Sequence, residues 1–433
     1  MNMSHTGRIS LLPFFGETKK GRRCRAPPAY NNQIVKTQLL LGVDMTFNFD
    51  QIIDRNHTSS VKFDGRKGYF GTEDVLPMWV ADMDFAAPEA VTRALQARAG
   101  HPVYGYTLYP DELYDALTGW LQRRFGWQVK REWIMWSPGV VPSLFATVRA
   151  FTQPGEAVIV QPPVYFPFFS AVTQNERLLL QNPLELRQDR YHINFEELEQ
   201  QAKTAKLMLL CTPHNPVGRV WSEQELQQVL EIARRNDVLV LADEIHADLV
   251  YPDSRHIPLA QLAENDPRVM TAVAPSKTFN IPGLGLSALI VPEAEQRAAL
   301  AGVFNSLHVS ASNPFSVAAF CAAYNEGEAW LDGLMQYLDE TRSLVSAYLA
   351  EHLPQIRLIW PEGTYLLWLD CRGLGMDDAA LKQFFVEQAK LGMNPGTVFG
   401  EGGSGFMRLN IGAPRTAVRQ ALEQIRTAWL RHS

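Results

Sequence analysis

Cysteine is scarce in this 433-residue chain, which contains only four. Cys24, Cys211, Cys321 and Cys371 lie far apart and do not show the spacing of metal ligands. We therefore predict no metal site. The same sparse usage fits a reducing compartment, so we expect a cytoplasmic protein.

Long apolar segments and a large excess of one charge are also missing. No apolar run approaches the roughly 20 residues that a membrane-spanning helix needs, so we expect no membrane association. The formal net charge is −6, which gives no electrostatic basis for nucleic acid or a membrane surface as the main partner. With 46% hydrophobic residues, the chain is long enough for two domains with sizeable cores.

Residues 1–44 differ in character from the rest, because they carry several basic residues, a Pro27-Pro28 break and no sustained periodicity. A signal peptide needs an apolar core after its positive charges, and the three leucines at 39–41 are too few for one. We expect a disordered, dispensable extension, with a transit peptide and a basic DNA-binding arm as alternatives. A chain that starts at Met45 should fold and work like the full chain.

Three short apolar runs organise the middle of the chain, at residues 207–211 (LMLLC), 238–242 (VLVLA) and 269–273 (VMTAV). Continuous runs of this length with β-branched residues indicate strands that are buried on both faces, as in a parallel sheet. Between the first two runs, Ser222 and Glu225 form the pattern of a capping box that begins an amphipathic helix. The sequence therefore predicts an α/β fold.

Each run is followed by polar residues, and open α/β sheets bind ligands at the carboxyl ends of their strands. Asn215, Asp243 and Lys277 follow the three runs in order. Pyridoxal phosphate needs a lysine for its Schiff base and an anion beside its pyridinium nitrogen, and Asn215 can donate to its phenolic oxygen. Alone, each residue has a structural interpretation, as a turn, a helix cap or a solvated lysine. Together they predict a pyridoxal 5′-phosphate site in which Lys277 also acts as general base.

The chain resembles pyridoxal-phosphate enzymes of the aspartate aminotransferase fold (fold type I), and more closely the MalY/PatB type of cystathionine β-lyase, a branch of C–S lyases. The resemblance runs from about Met45 to the C-terminus. The segments that carry it are 77–85 (PMWVADMDF), 104–106 (YGY), 137–141 (SPGVV), 215–218 (NPVG), 243–246 (DEIH), 276–280 (SKTFN) and 406–412 (FMRLNIG).

This resemblance implies a PLP-dependent transferase-like fold of two domains. We place a large cofactor-binding domain, with a mostly parallel central sheet, at residues 91–325. A smaller α+β C-terminal domain occupies residues 326–433, and an N-terminal segment at 45–90 joins it. From Gly327 onward, apolar residues at helical spacing predict one long helix that crosses into the small domain.

The glycine turn at residues 137–143 enters a predicted helix, and backbone N–H groups at a helix N-terminus favour a phosphate. With Lys277 downstream, the amides of Val140 and Val141 become the expected cradle for the 5′-phosphate, and the Ser276 hydroxyl lies beside the lysine. By resemblance, Tyr165 stacks on the pyridine ring. A packing aromatic is the alternative for Tyr165.

Further residues are expected to bind substrate. Arg408 interrupts an apolar run, and by resemblance its planar fork binds the substrate's α-carboxylate; a structural ion pair is the alternative. The main chain around Ala81 and Asp82 is expected to line the substrate cleft. The family's tyrosine at the position of Tyr106 reaches across a dimer interface to the neighbouring subunit's cofactor, which implies a homodimer with shared active sites. Taken alone, Tyr106 would be a buried loop aromatic.

Two positions depart from the aminotransferase pattern. Those enzymes usually carry a tyrosine three residues after the aspartate and an arginine eight residues after the lysine, whereas this chain has His246 and Gly285. Both departures match the C–S lyase branch, and we expect His246 beside the cofactor. Taken alone, His246 would be a structural histidine at a helix start.

The resemblance therefore predicts a carbon–sulfur β-lyase. It would convert L-cystathionine, or a related cysteine S-conjugate, to a thiol, pyruvate and ammonia, which is a step of methionine biosynthesis. An aminotransferase on the same fold is the first alternative. A regulatory protein that binds a transcription factor, a side role known in this branch, is the second.

Overall fold

The computed structural model describes residues 47–432, so the extension expected at residues 1–44 lies outside the described part. The helices of the described part are, in chain order, α1 Val61–Asp64, α2 Arg66–Phe70, α3 Glu89–Ala99, α4 Asp111–Phe125, α5 Val140–Phe151, α6 Pro167–Thr173, α7 Phe195–Ala202, α8 Glu223–Arg235, α9 Leu259–Leu262, α10 Pro275–Thr278, α11 Ala294–Ser306, α12 Pro314–Glu326, α13 Glu328–His352, α14 Asp378–Gln383 and α15 Arg415–His432.

The strands of the same residues form one large sheet, one smaller sheet and two short pairs. They are β1 Leu76–Pro77, β2 Ile134–Ser137, β3 Ala157–Val160, β4 Leu178–Gln181, β5 Glu185–Arg187, β6 Arg190–His192, β7 Ala205–Cys211, β8 Leu239–Asp243, β9 Val269–Val273, β10 Ser287–Ile290, β11 Arg357–Ile359, β12 Leu366–Asp370, β13 Leu391–Gly392, β14 Asn394–Pro395 and β15 Phe406–Asn410.

The large sheet has the strand order β2-β10-β9-β8-β7-β3-β4. β10 runs antiparallel to both of its neighbours, and the other pairs of this sheet are parallel. The three apolar runs of the sequence form β7, β8 and β9, and nearly all of their residues are buried. Strands that are covered on both faces need apolar side chains on both. The predicted α/β fold with a mostly parallel central sheet is confirmed.

Helix α8 connects β7 to β8 and begins where the sequence predicts. The Ser222 hydroxyl accepts a hydrogen bond from the Glu225 N–H at 3.2 Å, and the Glu225 carboxylate accepts one from the Ser222 N–H at 2.9 Å. This reciprocal pair satisfies two of the donors that every helix start leaves free. The apolar side of α8 is buried through Leu226, Val229 and Leu230.

The C-terminal part begins with the long helix predicted after Gly327, which is α13 and spans 25 residues. The smaller sheet that follows has the strand order β11-β12-β15-β14, and its strands pair antiparallel. β1, from the N-terminal segment, pairs in parallel with β13. This pairing supports the proposal that the N-terminal segment joins the small domain, and the domain boundaries themselves remain proposals.

Other features of the described residues bear on membranes, metals and thiols. None of the helices within 47–432 combines the length and the apolar character required to cross a bilayer. In the same residues, histidine, cysteine and acidic side chains form no cluster able to hold a metal ion. Cys211, Cys321 and Cys371 are free thiols.

Candidate active site

Three side chains predicted from the sequence follow adjacent strands of the large sheet. Asn215 comes after β7, Asp243 ends β8, and Lys277 lies on α10 just after β9. β8 pairs in parallel with both neighbours, so Asp243 lies opposite Cys211 of β7 and Ala272 of β9. The carboxyl ends of parallel strands meet at one edge, and the three side chains are therefore on the same edge of the sheet.

The Lys277 amine is partly buried and donates a hydrogen bond to the Ala81 carbonyl oxygen at 2.6 Å. Burial lowers the pKa of Lys277 to about 8; Asp82 and Asp243 oppose this shift, and the positive charge of Arg408 adds to it. A lysine with a pKa this close to neutrality is available as an uncharged amine much more often than a solvated one. It is therefore suited to act as a nucleophile and a base.

Asp243 is buried, and its Oδ1 accepts a hydrogen bond from the Ile245 N–H at 3.1 Å. Within residues 47–432 its carboxylate forms no ion pair. Burial raises the pKa of Asp243 to about 7 and the adjacent Glu244 adds to the shift, while the hydrogen bond from Ile245 and the positive charge of Lys277 oppose it. A buried carboxyl group without an ion-pair partner is one that a cationic ring nitrogen would complement.

Arg408 lies on β15 and is 97% buried, being 3% exposed. Its Nη1 donates to Oδ1 of Asn215 at 3.0 Å, and its Nη2 donates to the Trp79 carbonyl at 3.0 Å and to Oδ1 of Asn394 at 2.8 Å. Its Nε has no partner, and Arg408 forms no ion pair with any described residue. The alternative of a structural ion pair is therefore wrong for this part of the chain. A buried guanidinium held only by neutral groups can still bind a carboxylate.

His246 and Tyr165 are the predicted ring contacts of the cofactor. His246 is buried in a turn after β8, and no helix starts there, so the interpretation as a helix-start histidine is wrong. Burial lowers the pKa of His246 to about 3, with Lys277 and Arg408 adding to the shift, and its Nδ1 has no hydrogen-bond partner. Tyr165 is partly buried, and its N–H donates to the Asn215 carbonyl at 3.1 Å.

The backbone of Gly285 lies close to the turn that precedes α5. Gly139 precedes α5, and no side chain caps this helix. The N–H groups of Val140 and Val141 begin the helix and thus have no partner within it. A Cβ at Gly285 would lie 2.7 Å from the Pro138 carbonyl oxygen. Any side chain at position 285, including the arginine of the aminotransferase pattern, would push this turn away.

The segment before α3 contributes main-chain groups rather than side chains. The Ala81 carbonyl accepts from Lys277 as described and also from the Tyr365 hydroxyl at 2.9 Å. The Asp82 carboxylate forms an ion pair with Arg55 at 2.7 Å, so its role toward substrate remains a prediction. Tyr365 was missed by the sequence interpretation because nothing in the pattern around it points to the site. Ser276, next to Lys277 on α10, is partly buried.

Other residues missed from the sequence are Asn394, which orients Arg408, and Asn280. The Asn280 side chain accepts from the Met83 N–H at 2.8 Å and donates to the carbonyls of Met83 and Phe85 at 2.9 and 2.7 Å. It thereby ties the N-terminal segment to the turn after α10. Asn280 belongs to the segment 276–280 that carried the resemblance, and this position could have identified it as a candidate site residue.

Tyr106 is fully exposed on the loop between α3 and α4. The interpretation as a buried loop aromatic is therefore wrong. Its side chain makes no hydrogen bond or ring contact with any described residue of its own chain. The prediction that Tyr106 contacts a neighbouring subunit's cofactor stays a prediction.

Comparison with known proteins places the chain in a family. Residues 73–425 match the family model of aminotransferase class I and II. The chain belongs to this family. The resemblance and the PLP-dependent transferase-like fold predicted from the sequence are thereby confirmed.

Several known proteins are similar to this chain. Cystathionine β-lyase PatB of Bacillus subtilis (strain 168) is 43% identical, and the alignment covers 88% of this chain and 99% of PatB. Protein MalY of Escherichia coli (strain K12) is 33% identical over 87% of this chain and 97% of MalY. The structure of cystalysin from Treponema denticola, which contains a pyridoxal 5′-phosphate cofactor, has a TM-score of 0.87 and is 34% identical, covering 90% of this chain and 100% of that one.

The site of this family member fits pyridoxal 5′-phosphate on its own geometry. Buried polar atoms without partners are present at Nδ1 of His246, Nε of Arg408 and Oγ1 of Thr212. Asp243 has no ion-pair partner among the described residues, and the Lys277 amine is hydrogen-bonded only to a main-chain carbonyl. Unpartnered buried polar groups are costly unless a ligand satisfies them. An amine, an anion and several donors on one sheet edge match the aldehyde, ring nitrogen and oxygen atoms of this cofactor.

Proposed function

We propose that this protein is a pyridoxal-phosphate-dependent carbon–sulfur β-lyase that acts on L-cystathionine or a related cysteine S-conjugate. One observation carries the proposal. Trp79 and Ala81, two residues apart on one segment, direct their carbonyls to Arg408 and Lys277 respectively. A fork for a carboxylate and a lysine base are thus held side by side. This is the arrangement that an α-amino acid requires for removal of its α-proton.

Arg408 binds the α-carboxylate of the substrate. Burial lowers the pKa of Arg408 to about 10, so the side chain is still charged near neutral pH. Asn215 and Asn394 fix the plane of its guanidinium, which leaves Nε available to the substrate. A planar, pre-oriented donor set determines the direction from which the α-carbon approaches Lys277.

Lys277 removes the α-proton and carries it to the leaving group. Its lowered pKa provides the uncharged amine for the first step, and the resulting ammonium can protonate the departing thiolate. Pyridoxal 5′-phosphate, when bound, supplies an aldehyde for the amino groups and a ring that accepts electrons. Asp243 would provide negative charge for the ring nitrogen, and the amides of Val140 and Val141 with Ser276 would hold the phosphate. Asn215, whose Oδ1 accepts from Arg408, would donate its amide N–H to the phenolic oxygen, with His246 beside the ring.

The relatives support elimination rather than amino transfer. PatB is a cystathionine β-lyase by name, and a solved relative from Staphylococcus hominis, 33% identical, is a C–S lyase. In this chain, His246 and Gly285 replace the tyrosine and arginine of the aminotransferase pattern, and the close packing of Gly285 on Pro138 leaves no room for the arginine.

A keto-acid test separates the two reactions. The purified holoenzyme, given L-cystathionine and no keto acid, should release pyruvate and a free thiol over many turnovers, because a lyase regenerates its cofactor in each cycle. Pyruvate and thiol are measured by a coupled dehydrogenase and a thiol reagent, with Lys277→Ala as the inactive control. Product limited to one equivalent per site, with many turnovers after 2-oxoglutarate is added, would establish an aminotransferase instead.

We also propose a homodimer whose subunits share their active sites. Val103, Tyr104, Tyr106 and Leu108 are all exposed on one loop, and an apolar surface of this kind is typical of an interface. A second copy at this loop would receive Tyr106 in its own site. Sedimentation equilibrium should give about twice the 48.7 kDa of one chain; a monomer at micromolar concentration would contradict the dimer.

We propose a cytoplasmic location, because the sparse, free thiols Cys211, Cys321 and Cys371 suit a reducing compartment. Cell fractionation would test it, and recovery outside the cytoplasm would contradict it. Binding of a transcription factor stays a prediction, to be tested by co-purification with the full chain.

A further inference from the structure

Tyr365 shares a hydrogen-bond acceptor with the lysine of the site. Its ring is 1% exposed and lies just before β12, and its hydroxyl donates to the Ala81 carbonyl at 2.9 Å. The Lys277 amine donates to the same oxygen at 2.6 Å. The ring also meets His246 edge to face, with centroids 6.2 Å apart. The mechanism above uses none of these Tyr365 contacts.

The Ala81 peptide does not depend on Tyr365 for its position. The side-chain amide of Asn410 donates to the Val80 carbonyl at 2.6 Å and to the Asp82 carbonyl at 2.7 Å. These two bonds hold the peptide units that precede and follow the Ala81–Asp82 peptide. Loss of the Tyr365 hydroxyl would therefore leave the Ala81 carbonyl in place, and what changes is the number of donors on it.

We propose that Tyr365 is a positioning residue that competes with Lys277 for the Ala81 carbonyl and so limits how tightly this carbonyl holds the charged amine. Two donors on one carbonyl oxygen draw on the same electron density, so each bond is weaker than it would be alone. A weaker hydrogen bond from the Lys277 ammonium to this carbonyl shifts the equilibrium toward the uncharged amine. The inference rests on the proposed role of Lys277 as the base.

Other charges also act on Lys277, and a change at Tyr365 leaves them unaltered. Asp82 from the N-terminal segment and Asp243 from β8 favour the ammonium form, and Arg408 from β15 opposes it. His246, after β8, is buried and uncharged near neutral pH because burial holds its pKa near 3. Tyr365→Phe removes one neutral hydroxyl and no charge. The Ala81 carbonyl then serves Lys277 alone, and the amine should hold its proton to higher pH.

The experiment measures the proton affinity of Lys277 directly in the full-length protein. After removal of the cofactor with hydroxylamine, Lys277 is labelled competitively with an amine reagent across pH 6 to 11, and the modified peptide is quantified by mass spectrometry. In Tyr365→Phe the labelling midpoint should rise by about half a pH unit, roughly threefold in the protonation constant. In the holoenzyme, the acid limb of kcat, which reports groups in the enzyme–substrate complex, should move the same way.

Two matched controls test whether the shift is specific to the Tyr365 hydroxyl. Tyr251 is also fully buried, its hydroxyl has no hydrogen-bond partner, and its ring lies against Arg342 outside the site; Tyr251→Phe should leave the midpoint unchanged. A fluorinated tyrosine at position 365 keeps the shape and donates more strongly, so it should lower the midpoint and also serves if Tyr365→Phe does not fold.

An unchanged or lowered midpoint in Tyr365→Phe, or no decrease with the fluorinated residue, would overturn the inference. These outcomes are independent of whether wild-type protein cleaves cystathionine. A protein that shows the shift but no lyase turnover would instead contradict the proposed function.

Discussion

Asp243 offers a quantitative test of how the site is organised for its cofactor. Burial holds the pKa of its carboxyl group near 7, against an ordinary value of 3.8. The group forms no ion pair among the described residues. Without the cofactor, folding at neutral pH must therefore bury either an unpaired carboxylate or a protonated carboxyl group. Asp243→Asn removes this titration and keeps an oxygen that can accept from the Ile245 N–H.

The sign and size of the pH effect on stability follow from the difference in proton binding between the folded and unfolded states. Because the folded-state pKa is raised, the folded protein binds more protons than the unfolded chain between the two pKa values. The stabilising contribution is complete below the unfolded pKa and is lost as pH rises through the folded pKa. One pKa unit corresponds to about 1.36 kcal/mol. Between pH 5 and pH 8 the cofactor-free protein should lose roughly 2 to 3 kcal/mol of unfolding free energy through Asp243, since the slope disappears above the folded pKa.

The assay is urea unfolding of cofactor-free wild type and Asp243→Asn at pH 5, 6, 7 and 8. The difference between the two proteins cancels the titration of Asp248, His214 and His246, whose pKa values are also shifted by burial. The wild type should lose stability relative to the variant as pH rises. The difference should shrink in the holoenzyme, where the proposed pairing with a cationic ring nitrogen would keep the carboxylate charged. Parallel pH profiles for the two cofactor-free proteins would refute the reasoning.

Two further predictions concern the residues that hold cofactor and substrate. Lys277→Ala should lose the visible absorbance of bound cofactor and all turnover. The control Lys206→Ala, at an exposed position on β7, should keep both. Borohydride trapping of the cofactor on another lysine would show that the site is assigned wrongly. Arg408→Lys keeps the charge and loses the fork, so kcat/KM should fall about a hundredfold, or about 2.7 kcal/mol. Arg415→Lys, which alters an ion pair with Glu340 outside the site, should change kcat/KM little, and an equally small effect at Arg408 would exclude its carboxylate role.

Local spacing was sufficient to predict the sheet and the clustering of three candidate site residues at one of its edges. The runs that form β7, β8 and β9 are apolar on both faces because both faces are covered, and polar residues can follow only where the strands end. Parallel pairing then places Asn215, Asp243 and Lys277 on one edge, whatever the rest of the fold does. β8 is shifted by one residue from the predicted run, since Asp243 still pairs with its neighbours at the strand end, and β7 begins two residues before its predicted run.

The sequence alone determined which elements form, which strand ends carry chemistry and, through resemblance, which cofactor is expected. Only the tertiary structure decided how charges are paired. Arg408 has no carboxylate partner among the described residues, although its sequence position allowed one. Tyr106 is exposed, although its sequence position allowed burial. Lys277 and Tyr365 converge on Ala81 from 196 and 284 residues away. Hydrogen bonds at such separations leave no periodic trace in a sequence, because they depend on how whole elements pack and not on the spacing within one of them.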